Sequence, residues 1–322
     1  MKARFSVLDI FSGAGGFSRG FEEAGFDIKV AIENDPPVSK TYKANFPLAN
    51  LIADDVKEIN YKTIKDITGM SINDFDVIIA SPPCEPFTPT NKNRMKIPID
   101  RIFSDPIGQL YLHAIRLINE LKPRYFVIEN VSGILEGEIK ETIINELKKS
   151  GFENIYFNVL YSEHYGVPSM RTRVFVSNVY LKLEKQKIIT VSEALKDLPS
   201  PGVYWPPNHE EPQQLTKRLR KRVSNIKWGR SMIEFDGADS KRFKNFIRLN
   251  PNQPAPTVMG SSRFVHPFED RLLTVREQAR LMGFPDYHIF LGGKDSQYNM
   301  VGEAVPPPLA KLIADYLLGL LI

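Results

Sequence analysis

Residues 76–88 read DVIIASPPCEPFT, and the arrangement of the chain follows from this stretch. Val77, Ile78 and Ile79 make a short apolar, β-branched run of the kind that forms a buried strand. Pro82 and Pro83 end it, because each holds φ at about −65° and neither has an N–H to donate. Cys84, the one cysteine of the 322 residues, follows at once. Its thiol therefore sits on a stiff corner at the carboxyl end of a strand, the edge of an open α/β sheet where ligands collect. A single cysteine is ordinarily a small buried hydrophobe, so a nucleophilic reading has to rest on its surroundings.

Those surroundings repeat a strand–helix rhythm. Ser6 to Ile10 (SVLDI) predicts a strand that runs into FSGAGGFSRG, where Gly13, Gly15 and Gly16 permit a tight turn into a helix. The spacing is not the dinucleotide fingerprint, since Ser18 stands where a third glycine belongs. A second strand, Ile28 to Ile32, ends in Glu33 and Asn34, which puts a carboxylate where it can take both hydroxyls of an adenosine ribose. Pro36 to Asn45 reads as a helix, and Leu51 to Ala53 as a short strand before Asp54 and Asp55. From Glu85 to Asp105 no period is visible, so a long mobile loop is expected, the usual form of a lid. A helix over Gly108 to Leu121 leads into the strand YFVIE, which ends in Glu129 and Asn130. A further helix (138–150) and two strands (156–160 and 174–177) follow, with YGVPSMRTR between the strands. Arg171 and Arg173 are two apart in an extended segment and so point the same way.

After Asn178 the rhythm stops. Residues 179–250 contain PSPG, WPPNHEEP and KRLRKR and are expected to form a smaller irregular domain. The chain carries +4 overall, yet Lys217 to Arg248 holds eleven Lys and Arg against three acids. A basic segment on a slightly acidic body suggests a polyanion docked on one part of the molecule. Trp205, Trp228, Phe235, Phe243 and Phe246 lie among these charges, either as stacking surfaces or as the small domain's core. Thr274 with Glu277 reads as a capping box. YNMVGEA reads as a loop, and a final helix with apolar residues at 309, 312, 313, 317 and 320 needs a hydrophobic partner in the first domain.

Composition sets outer bounds. At 42% hydrophobic and 25% charged residues the chain is an ordinary globular one. One cysteine leaves no disulfide framework and no cysteine-rich zinc site, and no metal is expected; a reducing, cytoplasmic setting follows. MKARFSVLDIF enters a strand pattern too directly for a signal peptide. No apolar run is expected to span a membrane, because Lys311 and Asp315 interrupt the tail.

Taken together, the segments resemble the cytosine-C5 DNA methyltransferases. DIFSGAGGF (9–17), Glu33, Asp55-Val56, PPCEPFT (82–88), DPIGQLY (105–111), ENV (129–131), YGVPSMRTR (165–173), PAPTV (254–258) and VGEAVPPPLA (301–310) occur in that family's order. The resemblance implies a Rossmann-like, S-adenosylmethionine-dependent methyltransferase domain with a mixed, mostly parallel sheet over residues 1–178 and 251–322. It implies a target-recognition domain over 179–250. Phe11, Gly13, Gly15, Gly16, Phe17, Glu33, Asn34, Asp55, Val56, Pro83, Leu110, Glu303 and Ala304 would hold the cofactor, with Phe17 against the adenine. The catalytic set would be Cys84, Glu129, Arg171 and Arg173. Lys217, Arg218, Arg220, Lys221, Arg222 and Arg230 would bind nucleic acid.

The chemistry agrees with these roles. Cytosine C5 is a poor nucleophile until a thiolate adds to C6. That thiolate needs electropositive surroundings, for which Arg171 and Arg173 are suited. Glu129 at N3/N4 and Arg173 near O2 would stabilise the charge that addition creates. The ring must leave the helix to be reached. Three positions depart from the family: Glu85 and Ser169 stand where glutamine is usual, and Glu303 where asparagine is. A carboxylate beside the thiol is expected to raise its pKa. The partners implied are double-stranded DNA and a cognate restriction endonuclease, with the chain a monomer. An RNA-modifying relative, a catalytically silent DNA-binding regulator and a nicotinamide oxidoreductase are the rival readings; the last lacks its third glycine.

Overall fold

The runs of buried apolar residues become the strands of one central sheet. A computed structural model describes residues 5–322; residues 1–4, at the head of the stretch read against a signal peptide, lie outside the described residues. Strands β1 (Ser6–Ile10), β2 (Asp27–Ile32), β3 (Asn50–Ile52), β4 (Val77–Ala80), β5 (Tyr125–Asn130), β6 (Tyr156–Tyr161) and β7 (Thr172–Ser177) form seven strands in the order β3-β2-β1-β4-β5-β7-β6. The first five pair in parallel, and β7 runs antiparallel between β5 and β6. This is the mixed, mostly parallel α/β arrangement expected.

Every residue of β1 and β4 is buried, as parallel strands covered on both faces require. Alternate residues feed two cores. The helices are α1 (Gly16–Glu23), α2 (Pro36–Asn45), α3 (Tyr61–Thr68), α4 (Asp100–Phe103), α5 (Gln109–Leu121), α6 (Ile139–Lys148), α7 (Val191–Leu195), α8 (Lys217–Val223), α9 (Val275–Leu281), α10 (Lys294–Glu303) and α11 (Pro307–Leu321). Leu8, Ile10, Ile78, Ala80 and Ile128 pack against α3, α5 and α6. Val7, Ile79 and Val127 pack against α1, α2 and α11 on the other face. The chain leaves β1 towards β2 and later returns to its other side as β4. The crevice therefore opens at the carboxyl ends of β1 and β4, where the glycine loop and Cys84 lie.

A second sheet of three strands holds β8 (Ser231–Asp236), β9 (Arg242–Arg248) and β10 (Phe264–Val265). Leu215, Val223, Met232, Val265 and Leu272 make its small core. The Thr274–Glu277 capping box opens α9 as the sequence predicts.

Several sequence expectations are corrected. The stretch 85–105 is not structureless: it contains α4, and Arg101 and Ile102 are buried in it. YNMVGE, all but the last residue of that segment, is part of helix α10, which has a glycine N-cap with no side-chain hydrogen bond and so lacks a start signal. Helix α3, with only Ile64 buried, was not among the expected elements. On α11, Leu320 faces outward and Leu321 is buried, while Leu309, Ile313 and Leu317 pack inward as expected. Residues 294–321 do reach membrane-spanning length and hydropathy, contrary to expectation. Half of that stretch's most apolar window is nonetheless buried within the protein, where α11 lies along α1 and against the sheet as a core helix.

Candidate active site

Strand register assembles the site. Ile10 pairs with both Ile32 and Ala80, and Ala80 pairs with Ile128, so β1, β2 and β4 finish level and β5 runs two residues further, to Asn130. Because β7 is antiparallel to β5, Asn130 lies opposite Val174, and the start of β7 meets the end of β5. Glu129 and Arg173 are thereby brought together across strands, with Arg173 Nε 2.8 Å from Glu129 Oε1. The N–H is not aimed at that oxygen, and Glu129 Oε1 is buried with no aligned hydrogen bond. One acceptor is thus held in the wall without a donor.

Cys84 sits just beyond β4. Its carbonyl accepts from Phe87 N and Thr88 N, both at 3.0 Å, which closes a turn around the nucleophile. Asn130 Nδ2 donates to Pro82 O at 3.0 Å and ties the proline corner to the end of β5. Asn130 belongs to the ENV segment, but its anchoring role was not legible there. Gly133 provides the third hold: a Cβ on it would stand 2.0 Å from Phe87 O and 2.9 Å from the carbonyl carbon. Gly133→Ala is therefore expected to displace the Cys84 turn and to destabilise the fold by about 1–3 kcal/mol. Denaturant melts and steady-state rates check this, with kcat falling more than KM rises.

Burial pushes the Cys84 thiol above its ordinary pKa; Arg173 and Arg171 oppose this, while Glu129 and Glu85 add to it. The surroundings are thus less electropositive than the sequence reading proposed, and Glu85 acts in the direction expected of it. Removing that charge lowers the thiol pKa and raises the thiolate fraction near neutrality. Glu85→Gln is accordingly expected to shift the rising limb of the pH profile of kcat/KM to lower pH. A limb that stays in place, or moves up, contradicts this origin of the shift.

Arg171 is buried and aims Nη1 at Val258 O and Gly302 O, both at 2.8 Å. Burial and the Arg173 charge pull its pKa down to about 9, so it remains a cation at neutral pH. It links the PAPTV and VGEA segments to the strand-end cluster.

These groups line one cleft of about 1040 Å³. On one side are Phe11, Gly13, Gly16, Phe17, Glu33, Asn34, Asp55, Val56, Pro83, Leu110, Glu303 and Ala304. Gly15 is the one expected cofactor residue outside it, the space above its Cα being filled by the Phe46 ring. Phe17 touches the wall but is 1% exposed, its ring set edge-on to Phe21 and Phe175. Glu33 receives Gly13 N at 3.0 Å on one oxygen and Asp35 N at 2.9 Å on the other. Burial raises its pKa. Glu303 is exposed on the cleft, and partial desolvation there with the Glu85 charge lifts its pKa to about 7. A carboxylate at a strand end, a backbone amide turn and an apolar wall fit a nucleoside cofactor with a cationic centre.

Arg242, Phe243, Lys244 and Ile247 of β9 line the same cleft. None of Lys217, Arg218, Arg220, Lys221, Arg222 and Arg230 lines the cleft; all six lie exposed on and beyond α8. Arg242 and Lys244 were present in the basic run, but three consecutive residues of β9, Arg242 to Lys244, line the cleft, so no strand alternation in RFKNFIR singles them out.

Comparison with known proteins gives consistent matches. The family model of the C-5 cytosine-specific DNA methylases matches residues 5–318. M.MJ0563P of Methanocaldococcus jannaschii is 46% identical across 96% of this chain and 97% of its own. The type II methyltransferase M.DdeI of Desulfomicrobium norvegicum is 31% identical across 96% of this chain and 88% of its own. A prophage-encoded protein of E. coli superposes with a TM-score of 0.77 at 29% identity, over 98% of this chain and 99% of that one.

Proposed function

The chain belongs to the C-5 cytosine-specific DNA methylase family, and on that premise we propose that Cys84 is the nucleophile with which it methylates C5 of cytosine in double-stranded DNA. The observation that carries this reading is the cluster itself: Cys84 on its proline corner shares one cleft with the Glu129–Arg173 pair and the Glu33 end of β2. As a thiolate Cys84 adds to C6 of a flipped-out cytosine. Glu129, whose Oε1 lacks an aligned donor, is suited to the N3/N4 edge, and Arg173 to the charge developing at O2. Arg171 acts more remotely, through the backbone carbonyls it holds.

S-adenosylmethionine supplies the methyl group. Glu33 is suited to its ribose, Asp55 and the Gly13 turn to the rest of the nucleoside and its tail, and Phe11, Val56 and Leu110 to the apolar ring. We read 1–178 and 251–322 as the catalytic domain and 179–250 as the target-recognition domain, with β10 (Phe264–Val265) from the returning segment completing the recognition sheet. Arg242 and Lys244 then face the phosphates flanking the target, and the exposed cations of α8 extend that surface. Acting as a monomer beside a cognate endonuclease, inside the reducing cell, completes the reading.

The test is transfer of labelled methyl groups to unmethylated duplex DNA and to tRNA in parallel, with sequencing of 5-methylcytosine in the product. Label in the duplex at defined sites is expected; label confined to tRNA overturns the reading.

A further inference from the structure

One buried guanidinium joins the nucleophile's segment to the recognition hairpin. The Arg94 side chain is 6% exposed. Its Nη1 donates to Phe87 O at 3.2 Å, three residues past Cys84. The same nitrogen lies 3.3 Å from Glu136 Oε1, just after the turn that carries Gly133. Its Nη2 donates to Asp239 Oδ2 at 2.8 Å, in the turn between β8 and β9. Glu136 is held from the other side by Arg101 Nη1 at 2.5 Å, and Arg101 Nε in turn donates to Met95 O at 2.7 Å. The loop is thus fastened at both ends of one carboxylate.

A second link runs parallel to the first. Ala238 N donates to Pro89 O at 2.8 Å. Gly237 permits that approach, because a Cβ there would stand 2.5 Å from Pro89 O and 2.4 Å from the Phe243 ring. Phe243 lines the cleft between Arg242 and Lys244. The hairpin and the turn around Cys84 are therefore joined at two points. Asp239 is the exposed partner of the ion pair, its side chain 66% accessible. Asp239 is open to water and Arg94 keeps Glu136 and Phe87 O without it, so the Asp239 contact adds little to stability, and its value lies in register rather than in holding the fold.

We propose that Arg94 is a positioning residue: by clamping Phe87, Glu136 and Asp239 together it sets the Cys84 turn according to what the β8–β9 hairpin is bound to. The inference rests on the reading of Cys84 as the nucleophile, and of the hairpin as part of the recognition surface, but its first test does not.

That test is amide hydrogen exchange on the full chain without DNA, comparing wild type with Asp239→Asn and Arg94→Lys. Exchange at Phe87 and Thr88, whose amides bond Cys84 O, is expected to rise about tenfold, with α11 unchanged. The second measurement is single-turnover methylation of a synthetic duplex carrying a site mapped in plasmid DNA modified by the wild-type protein. Asp239→Asn is expected to slow methylation about tenfold while duplex affinity by gel shift stays within about twofold. Unchanged exchange at Phe87 and Thr88 in both variants overturns the coupling whatever the methylation rate. Altered exchange with an unaltered single-turnover rate upholds the coupling but overturns the positioning role. A wild-type protein that methylates nothing overturns the reading of Cys84, and exchange then still decides whether the hairpin and the turn are coupled.

Discussion

Replacing Cys84 by serine is expected to cut the methylation rate by at least about 10³-fold, with duplex and cofactor affinity kept within a few fold. The two side chains are nearly the same size, and Cys84 lies at the edge of the core cluster on α5 and β4 without filling its centre, so the fold should persist. What changes is the acidity. Even with burial holding the thiol up, a sulfur anion is accessible near neutral pH, whereas a serine alkoxide is not without an adjacent base. No histidine is among the cleft residues to provide one. Labelled methyl transfer, gel shift and thermal melting together check this. Retained activity removes Cys84 from the chemistry, and lost activity with lost folding decides for structure over catalysis.

Glu129→Gln is expected to lower kcat by about 10²- to 10³-fold. The amide keeps the shape but deprives Arg173 of the carboxylate 2.8 Å from its Nε, at a stability cost of about 1–3 kcal/mol. Direction makes this substitution informative. Glu129 raises the thiol's pKa, so removing its charge increases the thiolate fraction. If Glu129 acted only through the sulfur, the variant would be faster near neutral pH. A slower variant whose pH limb has moved down therefore assigns Glu129 to the charge on the pyrimidine. An unchanged or faster rate contradicts that role.

Much of this was legible because the chemistry sits where strands end. Ser6–Ile10 was read with its observed bounds, since five consecutive buried residues stop at a glycine turn. Glu33 and Glu129 each follow an apolar run directly, and Cys84 follows one across Ser81 and two prolines, so a one-dimensional pattern locates them on one sheet edge. Elements without such a pattern escaped. Helix α4 is four residues long, and α10 begins at a glycine that caps nothing. Contacts between distant segments escaped for a different reason. Asn130 reaches Pro82 across 48 residues, and Arg94 reaches Asp239 across 145. No local window carries either pairing. The basic segment was half legible: its sign was plain from the sequence, but which of its cations line the cleft depends on β9 and the Pro-Cys turn being brought to one cavity.

The most direct test is to incubate the wild-type protein and S-adenosylmethionine with a duplex whose target cytosine carries fluorine at C5, and to look for a complex that survives denaturation. Once methylated, that ring has no C5 proton to lose, so a sulfur bonded to C6 cannot be expelled. Addition of Cys84 to C6 predicts a stable adduct whose tryptic peptide contains Cys84, and none from Cys84→Ser. Methylation of ordinary duplex DNA by a protein that never forms this adduct would contradict it.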